Sequence, residues 1–215
     1  VVIAAAIAAL GCASGVLAAE MAARGIKGMR DITAWLNVIS ERNQPELLTD
    51  GIDADGAFAN WELLSGVLTK YYATVGPLAS ALEAMFALIR KFDIRADEVE
   101  EIHVECMRRT AIFNKPHPQN EVDARGSLPY CLAIAVCTRD PGQLLGPAYR
   151  PEALRNQAYR AMGERVRITE NEDYERQYPA RSLARVTLRL RSGESHSQEI
   201  DRSEIGRYLA PTDAD

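Results

Sequence analysis

The hydrophobic repeat changes period near residue 98, and a chain with that change is best satisfied by packing a helix on a sheet. Upstream, Leu78, Leu82, Met85, Phe86 and Ile89 recur along one helix face, with Gly76-Pro77 before them and Lys91 after. Downstream of Asp97-Glu98, Ile102, Val104 and Cys106 alternate with His103, Glu105 and Met107, the pattern of a half-buried strand. The two-residue period returns late in the chain. Ala184, Val186, Leu188 and Leu190 alternate with Arg185, Thr187, Arg189 and Arg191, and Ser192-Gly193 turns into a second arm, His196 to Ile200. Between these strands, Cys131 to Cys137 is apolar on every side, as in a helix buried all round. Asp140-Pro141-Gly142 marks a turn, and Pro151 opens a helix through Met162 with Leu154 and Ala158 inward.

The first part of the chain carries two helical segments and then a stretch of mixed polarity, Asn43 to Asn60. Ala4 to Ala23 forms one helix stopped by Arg24-Gly25, and Asp31 to Glu41 a second with Ile32, Leu36 and Ile39 on one face. Val1 to Ala19 carry no charge, and Gly11-x-x-x-Gly15 matches a motif of packed membrane helices. The run is rich in alanine, however, and is flanked by both charge signs from Glu20 to Arg24, so it reads as a buried helix of a helical domain. Asp53-Ala54-Asp55-Gly56, with Glu62 beyond, resembles a calcium loop, but its flanks do not read as paired helices. The expected fold is α+β. A remnant of an all-α domain (1–60) precedes a smaller α+β domain with antiparallel strands (61–207) and a short tail (208–215). With no initiating Met at Val1, the chain reads as a piece of something longer.

A net charge of −5 argues against nucleic acid and anionic membranes as partners. Four cysteines without a Cys-x-x-Cys pair sit in apolar runs, so a cytoplasmic, reducing setting is expected, with no metal and no cofactor. Arginines between Arg165 and Arg191 fit the solvent face of an edge hairpin better than a binding patch. His103 falls on a strand, His196 in a hairpin arm and His117 between two prolines, none at ligand spacing. His117 is kept as a candidate for touching substrate because its loop leads into the segment described next.

That segment is Asp123-Ala124-Arg125-Gly126-Ser127-Leu128-Pro129-Tyr130. A helix starting at Ser127 would turn free backbone N–H groups toward an anion, Arg125 could clamp a carboxylate, and Tyr130 could move a proton. A second reading fits the same residues: Ser127 as a helix cap, Arg125 as a surface charge and Tyr130 as a core aromatic.

Ala-Arg-x-Ser-Leu-x-Tyr followed by a small-apolar helix resembles the signature of the MmgE/PrpD family, which includes 2-methylcitrate dehydratase, cis-aconitate decarboxylase and iminodisuccinate epimerase. Four further segments are similar to the family in the same order. They are Ser14 to Gly28, Lys70-Tyr71-Tyr72 with Glu83-Ala84, Asp97 to Val104, and the hairpin from Ala184 to Ile200. The resemblance implies a metal-free, usually dimeric enzyme acting on di- or tricarboxylates, in which two domains face each other across the active site. Carried over by position, Lys70 would neutralise substrate charge, Arg125 and Ser127 would hold a carboxylate, and Tyr130 would donate or relay a proton. The implied activity is a dehydratase-type lyase, with epimerisation or decarboxylation as neighbours, the chain being a C-terminal piece of the enzyme. A lysine and a histidine that many members carry fall here near Ala4 and Ile7, and a further histidine falls in the segment Pro77, Leu78 and Ala79, which leaves open a non-catalytic interaction module.

Overall fold

The computed structural model describes residues 2–28, 70–178 and 180–202. The chain divides into two compact units, 1–66 and 67–215.

In the first unit, helix α1 (Val2–Ala23) ends where its sequence predicts. Gly25 takes φ 87°, donating its N–H to Ala22 O at 2.9 Å while Ile26 N–H reaches Met21 O at 3.0 Å. This left-handed cap satisfies carbonyls that the helix end would otherwise leave bare. The expectation of a buried helix is not met among the described residues. Leu10 and Val16 are 67% and 66% exposed, and a Cβ added at Gly11 or Gly15 would meet nothing within 4 Å. No described helix is long and apolar enough to cross a membrane. The expected helix over Asp31 to Glu41 and the Asp53–Gly56 loop lie outside the described residues.

In the second unit, Gly76–Leu78 forms one 3-10 turn that leads into α2 (Ala79–Phe92). Leu82, Met85, Phe86 and Ile89 are buried on the predicted face, and Asp93 closes the helix in the left-handed region at φ 52°. Strand β1 (Val99–Cys106) buries Val99, Ile102, Val104 and Cys106. A bulge between Val99 and Glu101 lets Val99 and Ile102 share the inner face despite their odd spacing.

A helical insertion follows: α3 (Arg108–Ala111), α4 (Glu121–Arg125), α5 (Leu128–Thr138), α6 (Pro151–Leu154) and α7 (Gln157–Gly163). Helix α5 is buried from Leu128 to Val136, as its uniform apolar composition predicts. The single helix expected from Pro151 to Met162 is broken in two. Asn156 takes an extended conformation and its carboxamide oxygen accepts from Ala158 N at 2.9 Å, restarting the chain as α7 with Ala158 exposed.

Strands β2 (Val166–Glu170), β3 (Leu183–Leu190) and β4 (Ser195–Asp201) complete the sheet, with α8 (Glu172–Gln177) between β2 and β3. Their order is β2-β1-β3-β4. The expected antiparallel pairs are β1–β3 and β3–β4, while β2, which the sequence did not announce, runs parallel to β1 with Ile102 opposite Val166. Ile102, Val104, Val186 and Leu188 lie in one core with α2 and α5. Each such aliphatic side chain contributes about 1.5–3 kcal/mol by leaving water.

The other face of the sheet is a polar ladder. Arg185 reaches Glu105 at 3.2 Å and Glu199 at 2.7 Å, Arg189 reaches Glu101 at 3.2 Å, and His103 meets Thr169 at 2.9 Å. The alternating arginines of β3 are therefore outward, though β4 rather than β3 forms the edge.

Candidate functional site

Ser127 caps α5 and does so from a fully buried position. Its hydroxyl accepts from Tyr130 N at 3.1 Å and donates to Lys115 O at 2.5 Å. Leu128 N–H donates to Phe113 O at 3.0 Å, Cys131 N–H to Ser127 O at 3.0 Å, and Pro129 has no N–H to give. The free donors that the sequence predicts for an anion are thus used inside the protein. They tie the 113–117 loop to the helix start.

Arg125 performs the matching task on the other side. Its Nη1 donates to Ala73 O at 2.7 Å, while Nε and Nη2 donate to Glu121 Oε1 at 3.2 and 2.7 Å. The guanidinium lies over the Tyr149 ring, 4.2 Å from its centroid. The hydrogen bond from Arg125 holds the Glu121 carboxyl below the usual range. Val75 N–H in turn donates to Arg125 O at 3.0 Å, so the segment that follows Lys70 is pinned to α4.

Tyr130 is fully buried and donates its phenolic proton to Ala148 O at 2.7 Å. Burial pushes its pKa well above the ordinary phenol value, with Cys131 and Tyr159 adding to the shift. Arg125 and Tyr130 therefore meet the chain at consecutive residues, Tyr149 and Ala148, rather than at a shared hollow. The Tyr149 hydroxyl is itself buried and closes no hydrogen bond of acceptable geometry. The nearby Cys131 thiol, pushed up to about 12 by its own burial, couples to it electrostatically.

Lys70 is exposed, with its ammonium donating to Thr74 O at 3.3 Å. Two residues on, Tyr72 donates to Glu83 Oε1 at 2.8 Å and stacks on Phe86 at 5.8 Å, which anchors the lysine segment on α2. The His117 side chain is 45% exposed, with Nε2 at 3.3 Å from Glu164 Oε1. Leu78 and Ala79 are buried. Among the described residues no group of three or more His, Cys, Asp and Glu side chains is placed to hold a metal ion.

The structure thus brings Arg125, Ser127 and Tyr130 together as a clasp on the Lys70 segment and the His117 loop. Of these five residues Lys70 and His117 face solvent. Two participants escaped the sequence reading. Glu121 stands four residues before Arg125, a helical ion-pair spacing that was there to be found. Tyr149 carries no local signal, because only the tertiary fold sets its ring under the guanidinium.

No curated relative matches the chain. The model of the MmgE/PrpD C-terminal domain matches residues 72–208, which takes in the sheet, the His117 loop and the residues of the clasp but begins two residues after Lys70, and the chain belongs to the MmgE/PrpD family.

Proposed function

We propose that this chain supplies the α+β part of a dehydratase-type lyase acting on a small di- or tricarboxylate such as 2-methylcitrate. The carrying observation is the clasp. Arg125 and Ser127 fix the Lys70 segment and the His117 loop to the two sides of one helix start, and leave a cation and an imidazole accessible. In the reaction a base of the intact enzyme takes the proton from the carbon next to a carboxylate, the carbon–oxygen bond breaks with its electron pair on oxygen, and the departing hydroxide takes a proton from Tyr130 to leave as water, the abstracted proton then restoring the phenol. Lys70 neutralises substrate charge, His117 holds a carboxylate, and Arg125 and Ser127 position the loops that carry them. Tyr130 acts as proton donor once its bond to Ala148 O opens.

A second reading has one observation in its favour: the Tyr130 phenol is buried and already spent on a carbonyl. On that reading the domain is a non-catalytic interaction module. Kinetics on the intact native protein separate the two. The lyase reading expects Tyr130→Phe to remove most of the rate of double-bond formation from a 2-hydroxy polycarboxylate, with stability lowered by about 1–3 kcal/mol as the buried Ala148 O loses its donor. Deuterium exchange next to a carboxylate without a new double bond would make the protein an epimerase of the same family, and release of carbon dioxide a decarboxylase. Absence of all three reactions, with Lys70→Ala and Arg125→Lys changing stability alone, would leave the module.

A further inference from the structure

Three arginines of the helical insertion are matched by carboxylates: Arg108 by Glu170, Arg125 by Glu121 and Arg139 by Asp93. Arg155 and Arg160 are not. The Arg155 side chain makes no hydrogen bond or ion pair among the described residues, and Arg160 uses only its Nε, which donates to Leu154 O at 3.1 Å. That bond fixes the guanidinium while its two terminal nitrogens stay available. Both side chains line a cleft of about 380 Å³ that also includes Gln119, Tyr149, Pro151 and Leu154. This volume lies within the range of roughly 300–1,000 Å³ typical of small-ligand sites.

The cleft has one carboxylate in its wall, Glu121, and Arg125 already holds it at 2.7 Å. Its charge is therefore balanced without Arg155 or Arg160. Two guanidinium groups with open forks, beside the apolar surfaces of Pro151 and Leu154, suit one ligand chemistry. We propose that this cleft binds a small organic oxyanion bearing two or more carboxylate or phosphate groups, gripped by Arg155 and Arg160 with its body against Pro151 and Leu154. The cleft borders the clasp through Glu121 and Tyr149, but Lys70, Ser127 and Tyr130 do not line it, so the proposal does not rest on the lyase reading.

Calorimetric titration of the full chain at low salt tests this, with citrate in one arm and inorganic pyrophosphate in the other. Saturable binding is expected in at least one arm, with the tighter arm naming the carboxylate or phosphate source. Arg155→Gln and Arg160→Gln should each weaken it about tenfold or more. Arg90→Gln, an exposed arginine on α2 away from the cleft, should leave it unchanged. Thermal melts check that the variants fold, and the rise in Tm that the anion gives the native chain should vanish in the double variant. No heat with either anion, or equal affinity in the double variant, would overturn the proposal.

Discussion

At the scale of single residues, the Arg125–Ser127 segment shows how one local motif can hold two distant stretches of chain. Ser127 uses its hydroxyl twice, accepting from Tyr130 N and donating to Lys115 O. Ser127→Ala removes the cap and the bond to Lys115 O, so a loss of about 1–2 kcal/mol is expected in urea unfolding. The opposite sign is expected at Tyr149. Its hydroxyl is buried with only the weak acceptor and donor of the Cys131 thiol beside it, so Tyr149→Phe should be neutral or stabilising by up to about 1 kcal/mol, with the ring still supporting Arg125. A Tm that falls sharply in that variant would reveal a hydrogen bond to the hydroxyl. The sequence made Ser127 legible as a cap because capping is local. It could not show that the same oxygen reaches Lys115, since that contact depends on how the 113–117 loop returns.

At the scale of elements, the periods of two and near four located α2, β1 and β3 because each leaves one stripe toward solvent, and β4 followed from the Ser192-Gly193 turn. Helix α5 was legible for the opposite reason, being apolar on all sides. Two elements were missed. Strand β2 alternates Val166-Arg167-Ile168-Thr169 but buries only Val166 fully, too short a signal to stand out. The break at Asn156 was hidden because Leu154 and Ala158 keep helical spacing across it, while the carboxamide of Asn156 wins the Ala158 N–H. The outer face of the sheet carries a pH-dependent contribution. Tyr174 donates to Glu199 at 2.5 Å and, with Arg185, holds the Glu199 carboxyl below its ordinary pKa. The unfolded chain therefore takes up this proton more readily than the folded one. Glu199 stabilises fully above the ordinary glutamate pKa of about 4.3, and that stabilisation fades as pH falls through the lower folded value. Melting curves of Glu199→Gln should show a shallower decline of Tm on the acid side than the native chain. Parallel declines would assign the acid sensitivity elsewhere.

At the scale of the whole molecule, Arg125 is the side chain whose loss should travel furthest. It binds Ala73 O, pairs with Glu121 and covers Tyr149, and lysine cannot reproduce that fork or that stack. Arg125→Lys should cost about 1–3 kcal/mol and speed hydrogen exchange at the Ala73 and Val75 amides, with β3 amides unaffected until global unfolding. Uniform acceleration across the sheet would mean that the segment is held by other contacts. The position of β1 has a further consequence, for the order of assembly. Its neighbours in the sheet come from much later in the chain, Ile102 facing Val166 on one side and Leu188 on the other. The β3–β4 hairpin can zip across a single tight turn, whereas β1 must wait for the helical insertion to close a long loop on either flank. On the ribosome, β1 emerges early and keeps both edges open until β2 and then β3 have been synthesised, so the centre of the finished sheet is the part most in need of protection from other nascent chains.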